Sequence, residues 1–415
     1  MTATSPVCPV LLPALQTSYT ALLALLCQIG AAVDQTAWAV VLQTCLGRRS
    51  LAGVARQACP LSATRLRTRV GRLLAAHATD AWEVLFNHAL RALWQPRLRG
   101  QRVVLVGDET HLPFWGQKRG ALVGELRGGA PKNGASRFFT YVTLCALWRG
   151  QRILLAVARW RADETLADVL TRLGQPLLAG DMTISAWVWD RGGATVAMLR
   201  WFEGQGQPFV VAAPRRGPKA GVAARLTALE ALWGGQRRQP PAVAQSYTLH
   251  PEKGSGQTPI TVMLVVGWER VKKGRSERRQ RSLRRSRTRE GQIWRAVAWF
   301  TDGHDWRGRG GAVQAFYRRR QSIESSYRMS HATRGRTSSR DARYRFVLFA
   351  VSQLLQAVWV WLARQARAAS QKPLLMVDLV EDWVWSGRDW LREGATRSGP
   401  LPGSASRAVA SGGEV

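Results

Sequence analysis

Short apolar runs rich in branched and aromatic residues, separated by helix-period segments, constrain the fold of this chain more than any other feature. From Arg102 onward VVLVGD, FFTYVTLCALW, ILLAVARW, AWVWD and PFVVAAP each read as a buried strand. ETLADVLTRLG and ATVAMLRWFEG repeat their apolar residues at spacings of three and four, as amphipathic helices do. The order is three strands, a helix, a strand, a helix and a strand. Three opening strands can form a meander, and the later ones join by helical crossovers, which gives a mixed sheet with helices packed on it. Two of the runs end in an acid: Asp108 closes the first and Asp190 the fourth. If those two strands are neighbours, the two carboxylates meet despite their distance in sequence.

The charge balance narrows the partner. The 415 residues hold 60 Lys plus Arg against 27 acids, a net charge of +33. Such a surplus favours a polyanion over an acidic-surface or neutral partner. Seven of the 60 are Lys and the rest Arg, whose fork grips phosphate through two hydrogen bonds. A GC-rich coding sequence also favours Arg, but it does not account for so few acids. The five Cys are odd in number and form no CxxC, which argues against a disulfide framework or zinc site and suits a reducing cytosol. Arg48 is the first basic residue, so the apolar N-terminus lacks the basic region of a signal peptide. The apolar segment 346–363 contains Ser352, Gln353 and Gln356 and reads as a buried core helix rather than a membrane span.

Five regions follow. Residues 1–98 read as helices and as a DNA-binding domain. Within them RSLAGVARQACPLSATRLRTRVGRLL has the shape of a helix, a turn and an Arg-studded helix, with Arg65, Arg67, Arg69 and Arg72 able to face phosphate. A plain helical hairpin with a solvated basic face fits the same residues. Residues 99–215 and 291–393 form the two parts of an α/β core. Residues 216–290 form a β-rich basic insertion between them, with a strand at TPITVMLVVGWE and a run holding eleven Lys or Arg between 270 and 289. Lys272 and Lys273 in that run are expected to track a DNA backbone, and a solvated loop is the plainer reading. The Gly-, Ser- and Pro-rich tail 394–415 reads as disordered.

The third acid is expected in FYRRRQSIESSYRMSH. Tyr317, Arg320, Glu324, Arg328 and His331 fall on one face of a helix there, a pattern unlike core packing. An exposed helix with an Arg320–Glu324 ion pair is the plainer reading. Cutting a phosphodiester needs an activated oxygen nucleophile and charge stabilisation on the leaving oxygen, which two metal ions roughly 3.5–4 Å apart supply. Magnesium takes carboxylate oxygens and keeps several waters, so Asp108, Asp190 and Glu324 suffice as ligands. Glu203, Asp302 and Asp305 rank below Glu324. Glu109 should point to the other side of its strand from Asp108.

The element order resembles a ribonuclease H-like core, here interrupted by the insertion and preceded by the helical domain. Tyr317-x2-Arg320-x3-Glu324-x6-His331 resembles the Y-x2-R-x3-E-x6-K signature of DDE insertion-sequence transposases. DETHLPFWG, RGGAPKNGASRFFTYVT, WDRGGA and RRQSIESSYRMSHATRGRTSS are similar to the successive motif blocks of that family's YREK-type and halophile branches. The resemblance spans roughly residues 100 to 365, about two-thirds of the chain. It implies that Asp108, Asp190 and Glu324 hold two Mg²⁺ or Mn²⁺ ions and catalyse. It implies that Tyr317 and Arg320 contact the transposon-end strand, and that the partners are end DNA, target DNA and a second copy of the chain. Neither a membrane nor a small-molecule substrate is implied. His331 departs from the family Lys, and Arg328 or Arg334 can supply the permanent cation that His lacks. The alternative is a catalytically inactive DNA-binding protein derived from such an enzyme. An RNA-directed reading draws on charge alone.

Overall fold

The computed structural model describes residues 19–30, 34–117, 120–215, 221–251, 254–271, 293–302, 310–320, 331–368 and 375–394. They divide into two compact units, one drawn from Met1–Trp82 with His331–Val415, the other from Glu83–Ser330.

The first unit is helical. It contains α1 (Tyr19–Ile29), α2 (Gln35–Leu46), α3 (Leu51–Gln57), α4 (Ala63–Ala75) and, from the other end of the chain, α10 (Ala342–Ala368) and α11 (Met376–Gly394). Asp34 starts α2 by accepting a hydrogen bond from Ala37 N at 2.9 Å. That satisfies one of the amide donors a helix start leaves over. α2 is apolar all round and buried from Thr36 to Leu46, and α1, α4, α10 and α11 pack on it. α10 is long and apolar enough to cross a membrane by length and composition. Its run from Phe346 to Val358 is buried, as the sequence predicts for a core helix, and the buried Ser352 hydroxyl donates to Phe349 O. The described cysteines, Cys27, Cys45, Cys59 and Cys145, form no disulfide.

The second unit is α/β. Its strands are β1 (Arg102–Pro113), β2 (Leu126–Lys132), β3 (Ala135–Trp148), β4 (Gln151–Arg159), β5 (Thr183–Trp189), β6 (Phe209–Ala212), β7 (Val243–Leu249), β8 (Ile260–Arg270) and β9 (Trp294–Thr301). They form one mixed sheet in the order β2-β3-β1-β5-β6-β9-β8-β7, with β4 also paired to β3. β1 runs antiparallel to β3 and parallel to β5, and β5 runs parallel to β6. β9 pairs antiparallel with β6, so the segment after β6 returns and extends the same sheet. The helices are the body of α5 (Thr79–Leu98), α6 (Leu166–Leu178), α7 (Val196–Gly204), α8 (Val222–Trp233) and α9 (Gly310–Arg318).

Local chemistry fixes these elements. Thr165 and Asp168 cap the start of α6 reciprocally, with Asp168 Oδ2 2.8 Å from Thr165 N. Asn133 and Gly134, at φ +51° and +77°, make the two-residue turn between β2 and β3, as Asn-Gly does in hairpins. β4 would leave its outer backbone groups bare, and α5 covers them. Asn87 bonds Val157 O and Val157 N at 2.9 and 2.7 Å, and Glu83 accepts from Arg159 N at 3.0 Å. Arg172 closes on Glu83 and Glu164, and Arg159 on Glu125, so the buried carboxylate of Glu83 is matched by a cation.

The two faces of the sheet differ. Val104, Val106 and Val188 form a cluster against Leu147, Phe316 and Tyr317. Val210, Ala212, Val265, Trp299 and Val313 form another, against the same Phe316 and Tyr317. α9 therefore lies on this face through Val313, Phe316 and Tyr317, each large side chain contributing on the order of 1.5–3 kcal/mol when fully buried. On other strand positions Trp187 meets Trp201 and Phe202 of α7 edge-on and tilted. Besides β8, the strand that the sequence predicts in the segment 216–290, its described residues hold α8 and β7.

Candidate active site

Register brings the first two acids together. The last paired residues of β1 and β5 are Val106 and Val188. Asp108 and Asp190 each stand two residues beyond that pair, so they occupy matching levels where β1 and β5 part; β5 ends at Trp189, while β1 runs on to Pro113 paired with β3. Two residues on also means the same face as Val106 and Val188, the face that α9 covers. Asp108 is 7% exposed. Its Oδ1 accepts from Glu109 N at 2.9 Å. Asp190 ends β5 and opens the turn Arg191–Gly193, accepting from Gly192 N at 2.8 Å.

Arg320 lies between them. Its Nη2 is 2.8 Å from Asp108 Oδ1 and 3.6 Å from Asp190 Oδ2. The residue is 7% exposed. The sequence places Tyr317 and Arg320 on one continuous helix, but α9 ends at Arg318. Arg319 N and Arg320 N bond back only three residues, to Phe316 O and Tyr317 O at 3.2 and 2.9 Å. That tightening turns Arg320 off the helix and toward the acids. The Tyr317 hydroxyl accepts from the Arg320 side chain, and its ring packs with Trp299 at a centroid distance of 6.0 Å.

Burial dominates the electrostatics. It pushes the Asp108 carboxyl up to about 6, with the Asp190 charge adding to the rise and Arg320 opposing it. Burial also raises Asp190, again against Arg320. The Tyr317 phenol is raised by burial too. Two carboxylates held this close favour any cation that can sit between them.

Alternation turns Glu109 to the other side of β1 from Asp108. It does point with His111, whose Nε2 is 3.6 Å from Glu109 Oε1 while His111 Nδ1 is 3.0 Å from Thr140 Oγ1. Yet a Cβ built on Gly192 would lie 2.8 Å from Glu109 Oε1 and 3.0 Å from Asp190 Oδ1. Past Trp189 β5 has ended while β1 runs on, and the Asp190 turn comes up against β1 at Glu109. Glu109 thus adds negative charge beside both acids.

Glu324, the expected third ligand, lies outside the described residues, as do Arg328, Lys272 and Lys273. His331 opens the short helix His331–Thr333. Asp302 follows β9 directly and is half-buried, Glu203 is exposed on α7, and Asp305 is outside the described residues. Among the described residues no three His, Cys, Asp or Glu side chains converge as a metal centre. The donor set present, two carboxylates already bridged by a guanidinium, does suit a hard cation.

In the helical unit the expected basic helix is present. α4 starts at Ser62, buries Leu66, Val70, Leu73 and Leu74, and exposes Arg65, Arg67, Arg69 and Arg72. Arg69 lies 3.8 Å from Asp34, an exposed pair of little energetic weight.

No family model matches the sequence, and no curated protein matches it. Among solved structures, one described as a piggyBac transposase synaptic complex with hairpin DNA is similar in fold. The identity is 10% and the TM-score 0.45, over 88% of this chain and 74% of that one.

Proposed function

We propose that this chain is a metal-dependent DNA transposase of the DDE type. It would bind the terminal repeats of a mobile element, cleave the DNA ends and join them to target DNA. The observation that carries this is the matched placement of Asp108 and Asp190 on neighbouring parallel strands, just past their last paired residues, with a cation between them. The strand order β4-β3-β1-β5-β6 supports a ribonuclease H-like core, in which that pair is the place for phosphodiester chemistry.

On this reading Asp108, Asp190 and Glu324 are the metal ligands. Two bound Mg²⁺ or Mn²⁺ ions would activate the attacking oxygen and stabilise the leaving one. Asp108 and Asp190 hold their oxygens rigidly because each side chain also accepts a backbone N–H. The resemblance assigns contact with the cleaved strand to Tyr317, Arg320, Arg328 and His331. Arg65, Arg69, Lys272 and Lys273 would neutralise phosphates of the bound DNA. Pairing two ends calls for at least two copies of the chain.

A second reading, a DNA-binding protein without catalysis, draws on the same Arg320, which satisfies the acids without a metal. Incubating the purified chain with DNA flanking its own coding region, in Mg²⁺ or Mn²⁺, separates the two. End-specific nicks with 3′-hydroxyls, lost in Asp108→Ala and Asp190→Ala, support the transposase. Tight DNA binding unaltered in those variants, without cleavage in either metal, supports the second reading.

A further inference from the structure

We propose that the Arg320 guanidinium holds the cation position of the Asp108–Asp190 pair until a DNA strand draws it away, so that DNA binding and metal loading reinforce each other. This rests on the reading of the acid pair as a metal site.

The geometry makes the two cations exclusive. A magnesium ion sits about 2.0–2.1 Å from each carboxylate oxygen. Asp108 Oδ1 already receives Nη2 of Arg320 at 2.8 Å, and the same nitrogen is 3.6 Å from Asp190 Oδ2. A divalent ion taking those oxygens would lie within about 5 Å of a unit positive charge in a partly buried setting, where like charges repel. Arg320 must therefore leave for the ion to enter.

Leaving alone is unfavourable, because it strips a buried acid pair of its counter-charge. Two partners together remove that cost. A metal ion can neutralise the acids, and a phosphodiester can receive the guanidinium, whose fork matches two phosphate oxygens. The side chain can move without disturbing its anchor. α9 is held by Val313, Phe316 and Tyr317, and Arg320 projects from the turn beyond its end. Each partner binds better when the other has bound, and such coupling is reciprocal. An arginine that served only to grip DNA would be expected at the surface; this one is 7% exposed and faces acids.

The test is Mn²⁺ binding to the full chain, followed by the electron paramagnetic resonance signal of free Mn²⁺, with and without duplex DNA carrying the element's end. Wild type should bind Mn²⁺ at least about tenfold more tightly with DNA present. Arg320→Gln should bind Mn²⁺ at least about tenfold more tightly than wild type without DNA, and DNA should then add less than about twofold. Arg320→Lys, which keeps the charge but not the fork, should fall between. No DNA effect on wild type overturns the proposal without reference to any variant. So does Arg320→Gln binding Mn²⁺ no better than wild type while Asp108→Asn abolishes binding; in that case the metal site stands and only the coupling falls. Mn²⁺ binding unchanged in Asp108→Asn removes the metal site itself, and the coupling with it.

Discussion

Gly107 is the floor beneath the indole of Trp189. A Cβ at position 107 would lie 1.5 Å from Trp189 Cζ3 and 2.1 Å from Cη2. Trp189 is fully buried, with Gly107 of β1 and Gly193 of the turn after β5 against its ring, so the ring has nowhere to retreat. Gly107→Ala is expected to destabilise by about 3 kcal/mol or more, at the upper end of overpacking effects. Urea unfolding of both proteins checks it. Trp189→Leu in the same chain should recover part of the loss, and an unchanged midpoint for Gly107→Ala alone would contradict the fit described.

Asp108 gives the metal-free protein a pH dependence of definite sign. Its carboxyl is held at about 6 when folded, above the roughly 3.9 of an unfolded chain. A group that binds its proton more tightly in the fold contributes stability below the unfolded value and loses it as pH rises through the folded one. Between pH 4 and pH 7 wild type should therefore lose about 2 kcal/mol relative to Asp108→Asn. Unfolding series in a chelator at the two pH values give this difference directly, and the constant cost of unpairing Arg320 cancels from it. A difference of the opposite sign would mean that Arg320, not burial, governs Asp108.

Glu83 holds three elements at once. It meets Arg172 from α6 and the backbone of Arg159 on β4, from its own place on α5. Burial raises its proton affinity. Glu83→Ala should cost about 2–4 kcal/mol, since it uncovers the edge of β4 and unbalances Arg172, which retains Glu164. Glu83→Gln keeps an acceptor and should cost less. Thermal melts that fail to separate the two variants would show that the charge contributes nothing.

The exposed arginines of α4 are readable by salt dependence. Arg65→Ala and Arg69→Ala should each weaken DNA binding and lower the slope of log affinity against log salt by about 0.9, one phosphate contact apiece. Fluorescence anisotropy between about 50 and 200 mM salt measures this. A slope unaltered in both variants would leave α4 as a solvated helix.

Much of this architecture can be read from apolar spacing. β1, β3, β4, β5 and β6, and helices α6 and α7, lie where the branched runs and three-four periods place them, because each is buried in a way its own residues dictate. α8 and β7 escape that reading. VAARLTALEALW sits between Gly- and Pro-rich turns, and VAQSYTL is a strand chiefly because β8 pairs with it along its length. The meeting of Asp108 and Asp190 follows from strand order, which patterns reveal. The position of Arg320 does not, since it depends on how α9 terminates and on which way a long side chain leaves the turn. Glu109 follows the alternation of β1, yet its carboxylate reaches the Asp190 turn because β5 ends there while β1 runs on.

β9 has a consequence for the chain while it is being made. It covers the outer edge of β6, pairing Thr301, Phe300 and Trp299 with Val210, Val211 and Ala212. Roughly 80 residues separate the two strands in sequence. At about 5–20 residues per second, the ribosome needs several seconds to deliver the covering strand after β6 has emerged. Throughout that interval the nascent protein displays an apolar seam of unpaired backbone, the kind of template on which chains associate. Translation that halts before Trp294 leaves the seam open for good, so truncated products of this gene are expected in the insoluble fraction or in the grip of chaperones.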